Sequence, residues 1–187
     1  MKQLMETLNR NTTNHSIKIM KEKTIKKACI YCIKNRISPQ IYGCLLENYI
    51  IKYYDMIKNV SKDAIGDATL DGQSYEIKCS LGGRHFSSYN YVQIRPNHCD
   101  NHMLLAYHLN KENANLGGDL FEFRIPESDI KELIILYGNY SHGTQKRLGN
   151  ITKDKLDDLS LPYEYSLRPK FNSKLWNDLL NFRFKNN

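Results

Sequence analysis

The sequence predicts a single α/β domain in which a mixed central β-sheet is flanked by helices. Two observations carry this prediction. Helical apolar spacings lie toward both ends of the chain, and alternating or continuously apolar segments lie between them. The length of 187 residues suits one domain with a sizeable core. With 41% hydrophobic and 25% charged residues, the composition is that of a folded globule rather than a disordered chain.

Composition also argues against two classes of protein. The sequence contains no run of about 18 apolar residues, so a membrane-spanning helix is not expected. The first residues, MKQLMETLNRN, lack the apolar core of a secretion signal, so we expect a cytoplasmic protein. The five cysteines are an odd number at irregular positions, which in that setting indicates reduced thiols.

Two helices are predicted in the first third of the chain. Residues 16–36 place apolar side chains and two cysteines at helical spacings. Ser38 and Pro39 then begin a second helix, because serine favours the N-cap and proline suits the first helical position. The apolar stripe of this helix ends near Met56.

A β-hairpin and further strands are predicted after these helices. The segments DAIGDATL and QSYEIKCSL meet at Asp71-Gly72, a dipeptide that favours the tight turn of a hairpin. The segment YNYVQIR alternates and fits either a strand or a short helix. MLLAYHL and LFEFRI are typical of buried strands, and the turn-rich NKENANLGGD separates them.

The last third of the chain mixes helices, a polar loop and one strand. PESDIKELIILYG predicts a helix with Pro126 at its start, and GNYSHGTQKRLGN is a glycine-bounded polar loop. ITKDKLDDLS predicts a short helix, YEYSLRP a strand and SKLWNDLLNF a closing amphipathic helix. The sequence shows no repeat, low-complexity tract or linker, which favours one domain over residues 1–187.

Basic charge is concentrated in the first third of the chain. The net charge is +7 and the pI is near 9.1. Residues 1–62 hold 12 basic and 4 acidic residues, a net of +8, whereas residues 63–187 hold 15 and 16, a net of −1. Such an excess favours a polyanionic partner. Two interpretations stay open: a face that contacts phosphates, and the solvated lysine-rich face of an amphipathic helix.

The residues best suited to chemistry are Asp67, Glu76 and Lys78, in the segment GDATLDGQSYEIKCS. The hairpin brings Asp67 on one strand beside Glu76 and Lys78 on its partner. The two-residue period of a strand puts Glu76 and Lys78 on one face, with Ile77 turned into the core. Two carboxylates and an ammonium that converge in this way predict a hard-cation site, and Mg²⁺ is the ion that suits it.

Such a site is suited to phosphodiester hydrolysis. A metal ion held by carboxylates stabilises negative charge on the phosphate and lowers the pKa of a bound water. A lysine beside it can orient or help deprotonate that water, and can offset charge in the transition state. Asp71 and Asp63 compete with Asp67 for the metal. However, Asp71 suits the turn itself, and Asp63 lies too far back along the strand to meet Glu76.

This arrangement resembles the active site of the PD-(D/E)xK nuclease superfamily, best known in restriction endonucleases. The matching residues are Asp67, then eight intervening residues, then Glu76-x-Lys78. One departure is that Gly66 precedes the aspartate where the name of the family has proline. The resemblance implies a restriction-endonuclease-like core.

The surroundings of the motif extend the resemblance. In that family the helix before the hairpin often carries a further acidic residue, and Glu47 stands in this position amid apolar neighbours. The resemblance covers about residues 38–137, which become the catalytic core. An N-terminal basic helical part of about residues 1–58 overlaps it, and residues 138–187 form the C-terminal part.

The resemblance implies a site-specific endonuclease that hydrolyses double-stranded DNA with Mg²⁺, for which Mn²⁺ can substitute. Asp67 and Glu76 are implied as metal ligands, Lys78 as the group at the attacking water and Glu47 as an auxiliary acid. A homodimer that cuts both strands of a palindrome is implied as well. No membrane and no other protein partner are implied.

Other functions remain open at this point. A Holliday-junction resolvase or a repair nuclease can use the same fold. A DNA-binding protein with a vestigial site is the alternative that lacks enzymatic activity. An accidental motif in a chain that is basic for solubility or RNA binding is a further interpretation.

Two polar segments offer side chains for DNA recognition, which needs donors and acceptors at base edges. The first follows Lys78, and the second is the polar loop that begins at Gly138. Both are equally consistent with ordinary surface loops, and a role of His142 in phosphate binding is preferred to one in catalysis. The candidates are Arg84, His85, Ser87, Asn90, Gln93 and Arg95 in the first segment, and His142, Gln145, Lys146 and Arg147 in the second. In the first segment, Tyr91, Gln93 and Arg95 are expected to share one face of a strand.

Zinc is not favoured as a cofactor. Cys29-x2-Cys32 and Cys99-x2-His102 could in principle supply four zinc ligands. However, Cys29 and Cys32 fall on the apolar stripe of a predicted helix, where cysteine behaves as a small buried hydrophobe.

Overall fold

The computed structural model of the chain describes residues 22–60, 65–82, 87–141, 148–161 and 163–184. No described helix is both long enough and apolar enough to cross a lipid bilayer. The predictions made for the following residues lie outside the described residues: Asp63, Arg84, His85, His142, Gln145, Lys146 and Arg147.

The described strands form a larger and a smaller sheet. The larger sheet has the order β1-β2-β3-β5-β6, and the smaller has the order β4-β8-β7. Neighbours in the larger sheet are antiparallel except β3 and β5, so this sheet is mixed, as the sequence predicts. The strands are β1 (Ile57–Lys58), β2 (Ala68–Leu70), β3 (Gln73–Ser80), β4 (Tyr91–Ile94), β5 (Asn101–His108), β6 (Asp119–Pro126), β7 (Asn139–Tyr140) and β8 (Tyr165–Leu167).

The predicted hairpin is confirmed as β2 and β3. Leu70 pairs with Gln73, which leaves Asp71 and Gly72 as a two-residue turn. Both turn residues have positive φ, 51° and 78°. This conformation matches the right-handed twist of paired strands, and it explains the choice of Asp-Gly. The turn therefore fixes the register of β2 against β3.

Two helices cover one face of the larger sheet. They are α1 (Glu22–Lys34) and α2 (Pro39–Tyr53), and they confirm the helices predicted for these described residues. Ile25, Cys29 and Cys32 are buried at helical spacing along α1. The sheet residues in the same hydrophobic cluster include Ile77, Met103 and Leu105.

The opposite face of the larger sheet packs against the smaller sheet and three more helices. These are α3 (Glu127–Tyr137), α4 (Lys153–Asp157) and α5 (Lys174–Leu180). Trp176 of α5 stacks on Tyr89, with 5.0 Å between the ring centroids. The larger sheet thus lies between two clusters, and its alternate residues point to one or the other. The sheet residues on this second side include Leu104, Ala106, Phe123 and Ile125.

Strand β4 settles one alternative and corrects one prediction. YNYVQIR contributes a strand, but its pairing with β8 is irregular between Tyr91 and Ile94. Gln93 has a φ of 57°, which breaks the two-residue alternation. Tyr91 is buried while Gln93 is exposed. The expectation that Tyr91, Gln93 and Arg95 share one face of a strand is therefore wrong.

The packing predicts a large effect of one core truncation. Leu104→Ala removes a fully buried side chain, and we expect the free energy of unfolding to fall by about 2–5 kcal/mol. Urea denaturation followed by circular dichroism measures this loss. Leu159→Ala, at a side chain that is 80% exposed, is the control and should change it by less than about 0.5 kcal/mol. Equal losses in the two variants would contradict the placement of Leu104.

Candidate metal centre

Asp67 lies just before strand β2, at the edge of β3. Its backbone N–H donates to the carbonyl oxygen of Tyr75 at 2.7 Å, and its Oδ2 accepts a hydrogen bond from the N–H of Ile77 at 2.8 Å. The carboxylate therefore takes the place that a strand carbonyl would occupy in the hydrogen-bond ladder. It stands beside the residue that separates Glu76 from Lys78.

Gly66 permits the chain to approach β3 this closely. Its φ is 66°, and a Cβ at this position would lie 2.6 Å from the carbonyl oxygen of Tyr75. Proline has a φ fixed at about −65°, so it cannot adopt this conformation. The Gly-Asp form of the motif is thus the form that this backbone requires.

Glu76 and Lys78 project from the same face of β3, as the strand period predicts. Ile77 between them is buried toward α1 and α2. Lys78 Nζ lies 2.7 Å from Glu76 Oε1, and Arg95 Nη2 lies 3.6 Å from the same oxygen. The Glu76 side chain is fully buried, whereas Lys78 and Arg95 keep 23% and 43% of their side-chain surface exposed. Two partly exposed cations therefore compensate one buried carboxylate.

The second oxygen of Glu76 faces a histidine. Glu76 is paired with His102 in the parallel register of β3 and β5, and His102 Nδ1 lies 4.0 Å from Glu76 Oε2. The other ring nitrogen, Nε2, lies 2.8 Å from Oε2 of Glu127 and 3.5 Å from Sγ of Cys99. His102 Nδ1 and Glu76 Oε2 are buried and have no hydrogen-bond partner within the described ranges.

Glu47 approaches the site from helix α2. Its Oε1 lies 3.4 Å from Nζ of Lys58. Burial raises the pKa of Glu47 and the charge of Asp67 raises it further, while Lys58 and Lys78 lower it by less. Glu47 is therefore within electrostatic reach of Asp67 and Lys78. Asp67, Glu76 and Lys78 thus lie together on the hairpin, and Glu47 contributes to their electrostatic environment from α2.

Lys78 is held in its charged form. Burial lowers the pKa of Lys78, and Arg95 acts in the same direction, but the carboxylates of Glu76 and Asp67 outweigh them and the net pKa is raised. A charged ammonium can orient a water and offset negative charge, but it has no lone pair with which to take a proton. Of the roles considered for Lys78, orientation of water and charge compensation fit this state.

Two sets of side chains in this region could hold a metal ion. Asp67 and Glu76, with Glu47 near them, offer carboxylate oxygens, the ligands that Mg²⁺ prefers. A buried carboxylate oxygen that no donor reaches, as for Glu76 Oε2, is a group that a cation would satisfy. The second set is Glu76, Cys99 and His102, whose ligand atoms lie within 4.8 Å of one another. Glu76 belongs to both sets.

The described candidates for DNA recognition differ in their surroundings. Ser87 is half-buried, while Asn90 and Gln93 are exposed. Asn90 Oδ1 accepts a hydrogen bond from Arg168 Nε at 3.1 Å, so this side chain already has a basic neighbour. Arg95, by contrast, is directed to the carboxylate of Glu76. Sequence reasoning missed this contact because it depends on where the chain turns after β4.

A four-ligand zinc site of Cys29, Cys32, Cys99 and His102 is not formed. Cys29 and Cys32 are 0% and 1% exposed, in the cluster on the α1–α2 side of the sheet. Burial raises the pKa of both thiols, as expected for cysteines that pack as hydrophobes. Cys99 lies against His102 instead. The five cysteines all fall in the described part of the chain, and none forms a disulfide.

Two site residues were not revealed by the sequence: His102, which faces Glu76, and Glu127, which holds the other nitrogen of His102. The spacing Cys99-x2-His102 was the one available signal, and it gave no indication of Glu76. Strand β4 separates β3 from β5 along the chain. In the larger sheet β3 and β5 are neighbours, and their parallel pairing brings Glu76 and His102 together.

The chain matches no protein-family model, no curated protein and no solved structure. The resemblance to PD-(D/E)xK nucleases therefore rests on Asp67, Glu76, Lys78 and their surroundings. Conclusions about function depend on the geometry of these side chains.

The environment of Glu47 predicts a pH-dependent effect of one substitution. Because its pKa is raised by folding, the protonated form stabilises the protein at low pH, and this stabilisation is lost as pH rises through the raised pKa. Glu47→Gln cannot ionise. We therefore expect it to increase the melting temperature relative to the unmodified protein at pH 8 more than at pH 4.

Differential scanning fluorimetry at the two pH values, in the presence of a chelator, measures this difference. Glu132→Gln alters an exposed glutamate on α3 and is the matched control. Its difference from the unmodified protein should be the same at both pH values. A Glu47→Gln variant that behaves like this control would refute the assigned environment of Glu47.

Proposed function

We propose that this protein is a Mg²⁺-dependent endonuclease of the PD-(D/E)xK type. The observation that carries the proposal is the hydrogen bond from the Ile77 N–H to Asp67 Oδ2, at 2.8 Å. It sets the first carboxylate of the motif beside the strand that bears Glu76 and Lys78. The sequence gives only the spacing of these residues along the chain, whereas the fold places them on neighbouring segments of the sheet.

The chemistry of the donor set supports Mg²⁺ as the cofactor. Asp67 and Glu76 would hold the ion through carboxylate oxygens, with Glu47 as an auxiliary acid. Bound there, Mg²⁺ would stabilise charge on a phosphodiester and lower the pKa of a bound water. Lys78, which stays protonated, would orient that water and offset negative charge as it develops.

The order of elements also supports the proposal. Between residues 38 and 137, the span that the resemblance covers, the chain forms α2, β1, the hairpin of β2 and β3, strand β4 of the smaller sheet, the long strands β5 and β6, and α3. The partly exposed cations Lys78 and Arg95 make the entrance to the acidic site attractive to phosphate. Lys27, Lys34 and Arg36 add exposed positive charge on or beside α1.

We extend the proposal to site-specific cleavage of double-stranded DNA by a homodimer, in the manner of a type II restriction enzyme. The exposed Asn90 and Gln93 support it, since they follow the motif strand and carry amide groups suited to base edges. A resolvase or a repair nuclease remains the alternative on the same site.

One observation favours a non-catalytic DNA-binding protein as the second candidate. The carboxylate of Glu76 is fully buried and already paired with the cations of Lys78 and Arg95. If these two ion pairs fully neutralise the carboxylate, Glu76 would attract a metal ion only weakly. The protein would then bind DNA without cutting it.

The proposal predicts which substitutions abolish cleavage. Asp67→Asn and Lys78→Ala should each reduce Mg²⁺-dependent cleavage by at least about 100-fold, because each removes a group that acts on the reacting phosphate. Binding measured by gel mobility shift without metal should persist. Asp71→Asn, in the exposed hairpin turn, and Lys111→Ala, an exposed lysine, are the matched controls and should cut normally. Full activity in Lys78→Ala would refute the mechanism.

The pattern of products separates the candidates. With Mg²⁺ or Mn²⁺, linear genomic DNA should yield discrete bands, and sedimentation should show two chains on a cognate duplex. Cleavage restricted to four-way junctions would identify a resolvase instead. Retarded DNA that is never nicked would identify the non-catalytic candidate.

A further inference from the structure

A cluster of potential oxygen, sulfur and nitrogen ligands lies where β3 pairs with the start of β5, next to the candidate nuclease centre. Its members are Glu76, Cys99 and His102, with ligand atoms within 4.8 Å of one another. All three residues are buried, at 0%, 8% and 0% exposure. They come from β3, from the turn before β5 and from β5 itself, so the cluster joins distant parts of the chain.

His102 leaves an unmet acceptor in this cluster. Its Nε2 lies 2.8 Å from Glu127 Oε2, so this carboxylate accepts a hydrogen bond from the Nε2–H group. Nδ1 faces Glu76 Oε2 at 4.0 Å, and in a neutral imidazole with Nε2–H this nitrogen carries a lone pair. A proton on Nδ1 would not join the two groups, because 4.0 Å is too long for a hydrogen bond. Two buried acceptors therefore face each other across a gap.

A metal ion would satisfy both acceptors. Tetrahedral zinc bonds of about 2.0–2.2 Å hold nitrogen and oxygen ligands roughly 3.3–3.6 Å apart, so the two groups would move together by about half an ångström on binding. Cys99 Sγ lies 3.5 Å from Nε2 of the same ring and donates to the carbonyl oxygen of Asn101 at 3.1 Å; as a thiolate released from that bond it would add a soft ligand. A thiolate combined with an imidazole selects zinc-class ions over Mg²⁺.

We propose that Glu76, Cys99 and His102 bind a zinc-class divalent cation. Glu127 holds the imidazole through its other nitrogen, the usual arrangement of a metal-bound histidine. The site ties β3 to the start of β5. It goes beyond the nuclease function: the two sites share Glu76, but Asp67 and Lys78 take no part in this one.

Metal content and a spectroscopic probe test this proposal on the full chain. The protein is stripped with a chelator, dialysed against Zn²⁺ and assayed by mass spectrometry for metal. We expect about one tightly held Zn²⁺ per chain. Co²⁺ added in place of Zn²⁺ should give the charge-transfer absorption of a thiolate ligand. A chain that retains no Zn²⁺, or a Co²⁺ complex without this absorption, overturns the proposal whatever the variants show.

Two variants and a control assign the ligands. Cys99→Ser should remove the charge-transfer band and weaken Zn²⁺ binding by more than about 100-fold, beyond the loss usual for a group that only orients a ligand. Glu127→Gln, which changes the group that holds the imidazole through Oε2 while Oε1 accepts from the Asn97 N–H, should weaken it by about 10–100-fold. Cys44→Ser, at an exposed cysteine on α2, should change neither quantity. A band that survives in Cys99→Ser refutes the assignment.

A third variant separates this proposal from the nuclease. Asp67→Asn should retain Zn²⁺ while it loses Mg²⁺-dependent cleavage. A chain that binds zinc and never cuts DNA would refute only the nuclease function. A chain that cuts DNA and holds no zinc would refute only the zinc site.

Discussion

The buried carboxylate of Glu76 is the constraint on which much of this structure depends. An ion removed from water costs several kcal/mol unless its surroundings compensate it. Here Lys78 and Arg95 supply positive charge to one oxygen, and His102 faces the other. The end of β4 and the start of β5 must therefore keep fixed positions relative to β3. A change in any of these three segments would leave a charge without its partner.

The position of β3 inside the sheet decides which groups can meet. Alternate residues of this strand point to opposite faces, so Ile77 joins the helix side while Glu76 and Lys78 join the other. Glu47 comes from the helix side, and the sheet would separate it from Lys78. Asp67 links the two sides because its Oδ2 accepts from the N–H of Ile77, the residue that lies between Glu76 and Lys78. The register of β2 against β3 therefore fixes the position of Asp67 relative to Glu76 and Lys78.

Local features of the fold were predictable because short-range chemistry determines them. Pro39 begins α2 after Ser38, which has the extended backbone of an N-cap but no side-chain cap hydrogen bond, and the positive φ of Asp71 and Gly72 follows from the turn type. The meeting of Glu76 with His102 was not predictable in this way. It requires β4 to leave the larger sheet and β5 to take the place beside β3, a pairing between distant segments. The same non-local arrangement directs Arg95 to Glu76 instead of to a free strand face.

The two oxygens of Glu76 give the candidate centre a means of coupling its two sides. Lys78 and Arg95 compete with any metal ion for Oε1, since all three are attracted by the same charge. A cation held at Oε2 by His102 and Cys99 would draw electron density from the carboxylate and weaken its hold on Lys78. The ammonium would then be freer to turn toward Asp67 and a bound phosphate. By linkage, a phosphate that attracts Lys78 would leave Glu76 better able to bind a cation at Oε2. With both sites occupied in this way, the state of the buried cluster and the charge presented at the surface would depend on each other.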